Sequence, residues 1–127
     1  MQYSDGIVVL DAFCGVGGNG IGFALQEGIS FVICVDIDRE KLRMAANNAS
    51  IYNVDPAKIV FVEGNAVDVL GFYKNGMMLK KLNTVDTLAE NEESDDQQQE
   101  EICNGYTVSG YKALPDNIDS VFLSPPW

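Results

Sequence analysis

The stretch that most constrains the fold is a short apolar run that ends in an acid and passes directly into glycines, VVLDAFCGVGGNG over residues 8–20. Such a run predicts a buried parallel strand, a tight turn and the start of a helix. Glycine lets the backbone approach a ligand closely and adopt conformations that other residues resist. Ordering four glycines within six residues costs much conformational entropy on folding. A turn with no role beyond packing would not need them, so a ligand-binding loop is favoured.

Two ligand classes compete for this loop. Gly15, Gly17 and Gly20 satisfy the dinucleotide pattern G-x-G-x-x-G, with Asp36 at a suitable distance downstream for a ribose hydroxyl. Asp11, however, places a carboxylate at the end of the first strand, where we expect it to point into the ligand crevice and repel a pyrophosphate. A ligand with a cationic amino-acid end and no phosphate, such as S-adenosylmethionine, suits that carboxylate better.

The length and the residue composition of the chain argue against several classes of protein and of site. The 127 residues suffice for one small domain, and the sequence has no apolar run of membrane-spanning length and no signal peptide. It contains no histidine, and its three cysteines form no C-x-x-C pair. We therefore expect no histidine base and no metal site, and a reducing compartment.

The acidic charge is concentrated in one segment. The net charge is −11, but seven of the 19 acidic residues lie within residues 90–101. The remainder is only mildly acidic, so the total charge says little about partners. Residues 82–115 have no clear periodicity, and we expect them to form a disordered, solvated insertion. A loop without a role is the favoured interpretation, and a partner-binding segment is the alternative.

The rest of the chain alternates between strand and helix. Strands are predicted over residues 7–10, 31–35, 59–62 and 119–123, and helices over residues 19–26, 39–52 and 67–80. This alternation predicts an α/β fold with a parallel sheet and right-handed crossovers. Ligands of such sheets bind beyond the carboxyl ends of the strands. Residues 11–20, 36–38, 64–66 and 124–127 all follow strands, so they should converge on one crevice.

Three residues at these strand ends are candidates for contacts with a nucleoside. The carboxylate of Asp36 can accept both hydroxyls of an adenosine ribose; capping of the next helix is the alternative, and Asp38 is better placed for that. Ile37 is equally consistent with packing on an adenine face and with the core. Asn65 can accept the adenine amino group, or it can be an ordinary turn residue.

The C-terminal residues Ser124-Pro125-Pro126-Trp127 have a composition suited to an aromatic amine. Prolines lack N–H donors, which leaves the carbonyls of Ser124 and Pro125 free to accept hydrogen bonds from an exocyclic amino group. The indole of Trp127 offers a stacking surface, best for a cationic base. Methylation of such a nitrogen depends mainly on positioning, so a strong base is not required. A proline turn closed by a core tryptophan is the alternative.

These strings together resemble the trimethylguanosine synthase family, in D-A-F-C-G-V-G-G-N at residues 11–19, V-D-I-D at 35–38 and F-L-S-P-P-W at 122–127. The resemblance implies a Rossmann-like class I methyltransferase fold with strand order 3-2-1-4. It also implies transfer from S-adenosylmethionine to the 2-amino group of the 7-methylguanosine cap of small nuclear and nucleolar RNAs. Such an enzyme would reside in the nucleus, with a cytoplasmic pool as the alternative.

Residue roles follow from the same resemblance. The loop would hold the methionine part of the cofactor through Asp11, Phe13, Cys14, Gly15, Gly17 and Asn19. Asp36 would bind the ribose, with Ile37 and Asn65 near the adenine, and Asn65 departs from the aspartate usual in the family. Ser124 and Pro125 would receive the guanine amino group, and Trp127 would stack on the methylated ring.

Two further departures concern the extent of the chain. The family has strands after S-P-P-W and an N-terminal extension, and it lacks the acidic segment. We therefore expect residues 1–127 to be a partial catalytic domain, truncated after the fourth strand, with weak or no turnover.

Three other functions remain open from the sequence. One is a different amino-group methyltransferase, acting on ribosomal RNA guanine or on DNA adenine. Another is a non-catalytic cofactor-binding or interaction module in which the acidic segment contacts a protein partner. The last is a nicotinamide oxidoreductase, which is supported by the three glycines alone.

Overall fold

The computed structural model describes residues 6–75, 100–110 and 118–123, with side chains of the first stretch described as far as Gly71. Six strands and three helices occur in these residues. The strands are β1 (Ile7–Asp11), β2 (Ile29–Asp36), β3 (Ile59–Glu63), β4 (Glu101–Cys103), β5 (Tyr106–Ser109) and β6 (Ser120–Phe122). The helices are α1 (Gly18–Ala24), α2 (Arg39–Ile51) and α3 (Ala66–Asn75), and a 3₁₀ turn covers Pro56–Lys58.

The strands form a single sheet in the order β4-β5-β3-β2-β1-β6. All neighbouring strands are parallel except β4 and β5. The predicted α/β fold is thus confirmed, and the predicted order 3-2-1-4 corresponds to the four strands β3-β2-β1-β6. The order differs in detail because β5 and β4 extend the sheet beyond β3.

Successive side chains of the central strands pack on opposite faces of the sheet, and helices cover both faces. Val32 and Cys34 of β2 pack in a core cluster with residues of α1 and α2, whereas Ile33 and Val35 pack on the other face with Val69 of α3. Successive side chains of a strand point to opposite faces, so a strand buried on both faces must be apolar throughout. The continuous apolar run of β2 meets this demand.

The hairpin of β4 and β5 corrects the expectation that residues 82–115 are disordered throughout. Asn104 and Gly105 have φ angles of 54° and 90°, the left-handed pair that a two-residue hairpin turn requires. Tyr106 is 3% exposed and Val108 is fully buried, and the hydroxyl of Tyr106 donates a hydrogen bond to the carbonyl of Val54. The hairpin therefore belongs to the folded core.

Ion pairs connect the hairpin to helix α2. Arg39 Nη1 lies 3.1 Å from Glu101 Oε1, and Arg43 Nε lies 2.9 Å from Glu101 Oε2. Arg39 Nε also lies 2.7 Å from Glu63 Oε1 at the end of β3. Two of the acids at strand ends are thus held by one face of α2.

No helix in the described part of the chain is both long and apolar enough to cross a membrane.

Candidate functional site

The loop between β1 and α1 adopts a conformation that requires glycine at two positions. Gly15 and Gly17 have φ angles of 58° and 95°, in the region where side chains are disfavoured. A Cβ at Gly17 would also lie 3.0 Å from Cβ of Ala45 and 3.1 Å from Cδ1 of Ile21, whereas a Cβ at Gly15 would meet nothing within 4 Å. Gly17 therefore packs the loop against the helices, and the space beside Gly15 is open.

Asp36 at the end of β2 holds this loop in place. Its Oδ2 accepts a hydrogen bond from the backbone N–H of Gly15 at 2.8 Å, and its Oδ1 accepts one from the N–H of Asp38 at 2.9 Å. Asp38 caps helix α2 by accepting from the N–H of Glu40 at 2.9 Å, so capping does not account for Asp36. Each oxygen keeps a further lone pair, and the half-buried carboxylate can accept hydroxyl groups in addition.

Asp11 lies at the end of β1 as predicted, but its side chain does not open into a crevice. Asp11 is fully buried, and neither carboxylate oxygen has a hydrogen-bond partner of standard geometry among the described residues. Burial raises the pKa of Asp11 to about 6, a shift that the nearby backbone amides of Phe13 and Gly20 oppose. A buried carboxylate without a partner is costly, and it favours an incoming cation.

The remaining predicted loop residues differ in exposure. Phe13 is half-buried, Asn19 is exposed on the first turn of α1, and Cys14 is 6% exposed. The backbone N–H of Cys14 donates to the carbonyl of Val35 at 2.8 Å, which ties the loop to β2 a second time. Ile37, directly after Asp36, is 70% exposed. The core alternative for Ile37 is therefore wrong, and its side chain is available to a ligand.

Asn65 follows β3 and is exposed. Its Oδ1 accepts a hydrogen bond from the N–H of Val67 at 2.7 Å, so it stabilises the first turn of α3. The N–H of the preceding Gly64 donates to the backbone carbonyl of Asp36 at 3.0 Å. The ends of β2 and β3 are thus joined, and Asn65 lies at the same edge of the sheet as Asp36.

Ser124, Pro125 and Trp127 lie outside the described residues. The last described strand, β6, pairs with β1 so that Phe122 is opposite Asp11, and the carbonyl of Phe122 accepts from the N–H of Ala12 at 3.1 Å. The ends of β1, β2, β3 and β6 therefore lie along one edge of the sheet, as predicted.

The fold also brings Cys34 of β2, to which the sequence analysis gives no role, close to Asp11 and Cys14. Asp11, Cys14 and Cys34 are all buried, and one ligand atom from each lies within 4.8 Å of the others. The alignment of two apolar parallel strands, with Asp11 opposite Cys34, is the signal that predicts this proximity. It requires the strand register, which periodicity alone does not supply.

The chemistry of the edge is that of an acceptor for hydroxyl groups and cations. Asp36 contacts the loop at Gly15, Asp11 is buried at the end of β1, and an exposed apolar side chain follows at Ile37. Negative charge at this position disfavours a pyrophosphate, which weakens the dinucleotide alternative. A nucleoside with a positively charged substituent is the ligand class that fits.

Comparison with known proteins gives a consistent result. A family model described as RNA cap guanine-N2 methyltransferase matches residues 6–127. Trimethylguanosine synthase from Schizosaccharomyces pombe is 38% identical over 61 residues, which cover 48% of this chain and 24% of that protein.

Two bacterial relatives match a longer stretch. They are the proteins named ribosomal RNA large subunit methyltransferase I from Aeromonas hydrophila and Tolumonas auensis, 33% and 34% identical over 73 residues, or 58% of this chain and 18% of each relative. The chain thus spans about a quarter or less of the length of these curated relatives.

Proposed function

The chain belongs to the family of RNA cap guanine-N2 methyltransferases, and we propose that it methylates the exocyclic 2-amino group of a 7-methylguanosine RNA cap. The proposed methyl donor is S-adenosylmethionine, and the proposed substrates are capped small nuclear and nucleolar RNAs in the nucleus. In this proposal, residues 1–127 contribute the cofactor-binding residues and part of the guanine-binding residues of a larger catalytic domain.

The residues at the strand ends fit the chemical groups of this cofactor. The carboxylate of Asp11 is buried and unpartnered among the described residues, so in this proposal its negative charge attracts the ammonium group from behind the loop, on which Phe13, Cys14, Gly15, Gly17 and Asn19 would hold the methionine part. Opposite charges attract strongly where water is partly excluded. The bound cofactor supplies an electrophilic methyl group, and the protein would need only to orient the acceptor nitrogen toward that methyl group.

The nucleoside end of the cofactor would lie along β2 and β3. Asp36 would accept the ribose hydroxyls on the lone pairs that Gly15 and Asp38 do not use. The exposed side chain of Ile37 would cover one adenine face. Asn65 would contact the adenine edge while its Oδ1 retains the hydrogen bond from Val67, which leaves its amide N–H₂ as the group that faces outward.

The guanine would be received by the residues that follow β6. The carbonyls of Ser124 and Pro125 would accept hydrogen bonds from the 2-amino group and hold its nitrogen in line with the methyl group. Trp127 would stack on 7-methylguanine, whose positive charge favours an indole face. Positioning of this kind lowers the barrier without a general base.

The observation that carries the proposal is the hydrogen bond from Gly15 to Asp36, because it joins the two elements that would contact opposite ends of the cofactor. Calorimetric titration with S-adenosylhomocysteine tests it. Asp36→Ala should abolish binding, whereas Glu27→Gln, a charge change at an exposed residue beyond α1, should leave it unchanged. Binding that survives Asp36→Ala, or no binding by the unmodified chain, would refute the cofactor assignment.

The acceptor is tested separately, by methyl transfer from labelled cofactor to capped and uncapped forms of one oligonucleotide. Transfer to the capped form alone supports the proposal, and Trp127→Ala should then reduce it without changing cofactor affinity. The second candidate is transfer to ribosomal RNA, which is favoured by the bacterial relatives that match the longer stretch. Equal transfer to an uncapped ribosomal RNA fragment would establish it instead.

A further inference from the structure

We propose that Asp11, Cys14 and Cys34 form a binding site for a thiophilic divalent cation such as Zn²⁺. One ligand atom from each residue lies within 4.8 Å of the others. The sulfur atoms of a tetrahedral zinc site lie about 3.8 Å apart, as follows from a Zn–S distance of about 2.3 Å. The donors therefore need to approach one another by about 1 Å or less, which side-chain rotation can supply.

Three independent elements place these donors. Asp11 and Cys34 are opposite each other in the register of β1 and β2. Cys14 is held on the loop above them by its backbone hydrogen bond to Val35. Gly20 makes the space, since a Cβ at that position would collide with Sγ of Cys34 and lie 3.5 Å from Oδ2 of Asp11. The cluster is consequently fixed by backbone structure and not by the side chains alone.

The carboxylate of Asp11 supplies the second, independent argument. It is fully buried, and both of its oxygens lack a hydrogen-bond partner among the described residues. Buried charges in proteins are paired with an opposite charge or coordinate a metal. The backbone amides of Phe13 and Gly20 lie nearby but carry no positive charge, and neither do the thiols of Cys14 and Cys34, so a bound cation would supply the missing counter-charge.

The donor set selects the type of ion. Two sulfur atoms and one carboxylate oxygen suit Zn²⁺ or Cd²⁺, whereas Mg²⁺ and Ca²⁺ prefer oxygen alone. On binding, two S–H bonds break and two metal–sulfur bonds form, so two protons pass to the solvent for each ion. Three protein ligands leave the fourth tetrahedral position for water or a ligand atom.

The site differs from the proposed cofactor site but shares Asp11 and Cys14 with it. An ion at this carboxylate would occupy the charge that the cofactor ammonium requires, so Zn²⁺ should weaken cofactor binding. The metal site does not depend on the proposed function, because its test uses neither cofactor nor RNA.

The experiment is a titration of the full chain with CdCl₂, followed by the ultraviolet sulfur-to-cadmium charge-transfer band. One ion should bind per chain, Zn²⁺ should displace it and Mg²⁺ should not. Cys14→Ser and Cys34→Ala should weaken binding by more than roughly 10-fold, the loss that even outer-shell changes cause at metal sites. Cys103→Ser is the matched control, because that free cysteine lies outside the cluster, and it should bind as the unmodified chain does.

A band that is absent, that persists in Cys34→Ala, or that disappears in Cys103→Ser would overturn the proposal. If circular dichroism shows that a cysteine variant does not fold, alkylation of the unmodified chain tests the metal site instead. Cd²⁺ should then protect Cys14 and Cys34 from iodoacetamide in mild denaturant and leave Cys103 reactive, as measured by peptide mass spectrometry. Equal reactivity of all three cysteines with and without Cd²⁺ would contradict the site.

Discussion

The backbone N–H of Gly15 and the carboxylate of Asp36 are 2.8 Å apart, although Gly15 follows β1 and Asp36 is the last residue of β2. The same carboxylate accepts from Asp38, and the backbone carbonyl of Asp36 accepts from Gly64. One residue thus connects the ends of β1, β2 and β3. Several consequences of this arrangement can be measured.

Asp36→Asn should weaken S-adenosylhomocysteine binding by about 10- to 100-fold, since hydrogen bonds to a charged group contribute about 1.5–3 kcal/mol. It should also destabilise the ligand-free chain by about 1 kcal/mol, because an amide presents one acceptor oxygen where the carboxylate serves two N–H donors. Calorimetry and urea denaturation measure the two effects. Glu27→Gln should change neither, and an unchanged affinity in Asp36→Asn would exclude the ribose role.

Asp11→Asn should stabilise the ligand-free chain at pH 7.5 while it weakens cofactor binding. The pKa of Asp11 is raised from 3.8 to about 6, so the ionised carboxylate is disfavoured in the folded state. Removal of the charge should raise the free energy of unfolding by about 1–3 kcal/mol. Urea denaturation checks this, and a loss of stability would show that the carboxylate already has a partner.

Gly17→Ala should destabilise the fold by more than about 1 kcal/mol, because its φ of 95° disfavours a side chain and an added Cβ would meet Ala45 at 3.0 Å. Gly18→Ala is the matched control. A Cβ at Gly18 would meet nothing within 4 Å, and alanine is the better helix former, so stability should be unchanged or rise by about 0.4–1 kcal/mol. Thermal unfolding of both variants measures this difference in stability. Equal changes in the two melting temperatures would contradict the prediction.

Glu101→Gln should reduce the loss of folding stability that the chain undergoes as the pH falls below 4.5. Arg43 lowers the pKa of Glu101 from 4.5 to about 2, so the stabilisation is present above pH 4.5 and is lost as the pH falls toward 2. Because the pair is open to solvent, the variant should lose only about 0.2–1 kcal/mol at pH 7.

This difference between Glu101→Gln and the unmodified chain should shrink below pH 4.5 and disappear near pH 2. Unfolding curves at pH 7, 4 and 2.5 check the trend, with Glu27→Gln as the charge-matched control. A difference that grows as the pH falls would have the wrong sign for this ion pair.

Much of the fold could be predicted because hydrophobic patterning specifies it. The apolar runs of β1, β2 and β3, and the buried alanines Ala45, Ala46 and Ala49 on one side of α2, favour a parallel sheet between helices. The hairpin escaped prediction because strands of three and four residues carry too little pattern beside an acidic run. Its turn, Asn104-Gly105, was the one signal available.

The geometry of the candidate site could be predicted only in part. Asp36, Gly15 and Ile37 follow from their positions after strands. The burial of Asp11 does not, since it depends on how Gly20 packs against the strand pair. The proximity of Cys14 to Cys34 likewise requires a register that spacing along the chain cannot reveal.

The connection of three strand ends through Asp36 has a consequence for how a ligand is recognised. The groups that we propose to contact the ligand are already held by hydrogen bonds in the ligand-free fold, so association need not be accompanied by a disorder-to-order transition of the loop. A substitution that loosens the hydrogen bonds of Asp36 should therefore lower ligand affinity and resistance to unfolding together, even when it lies far from the ligand.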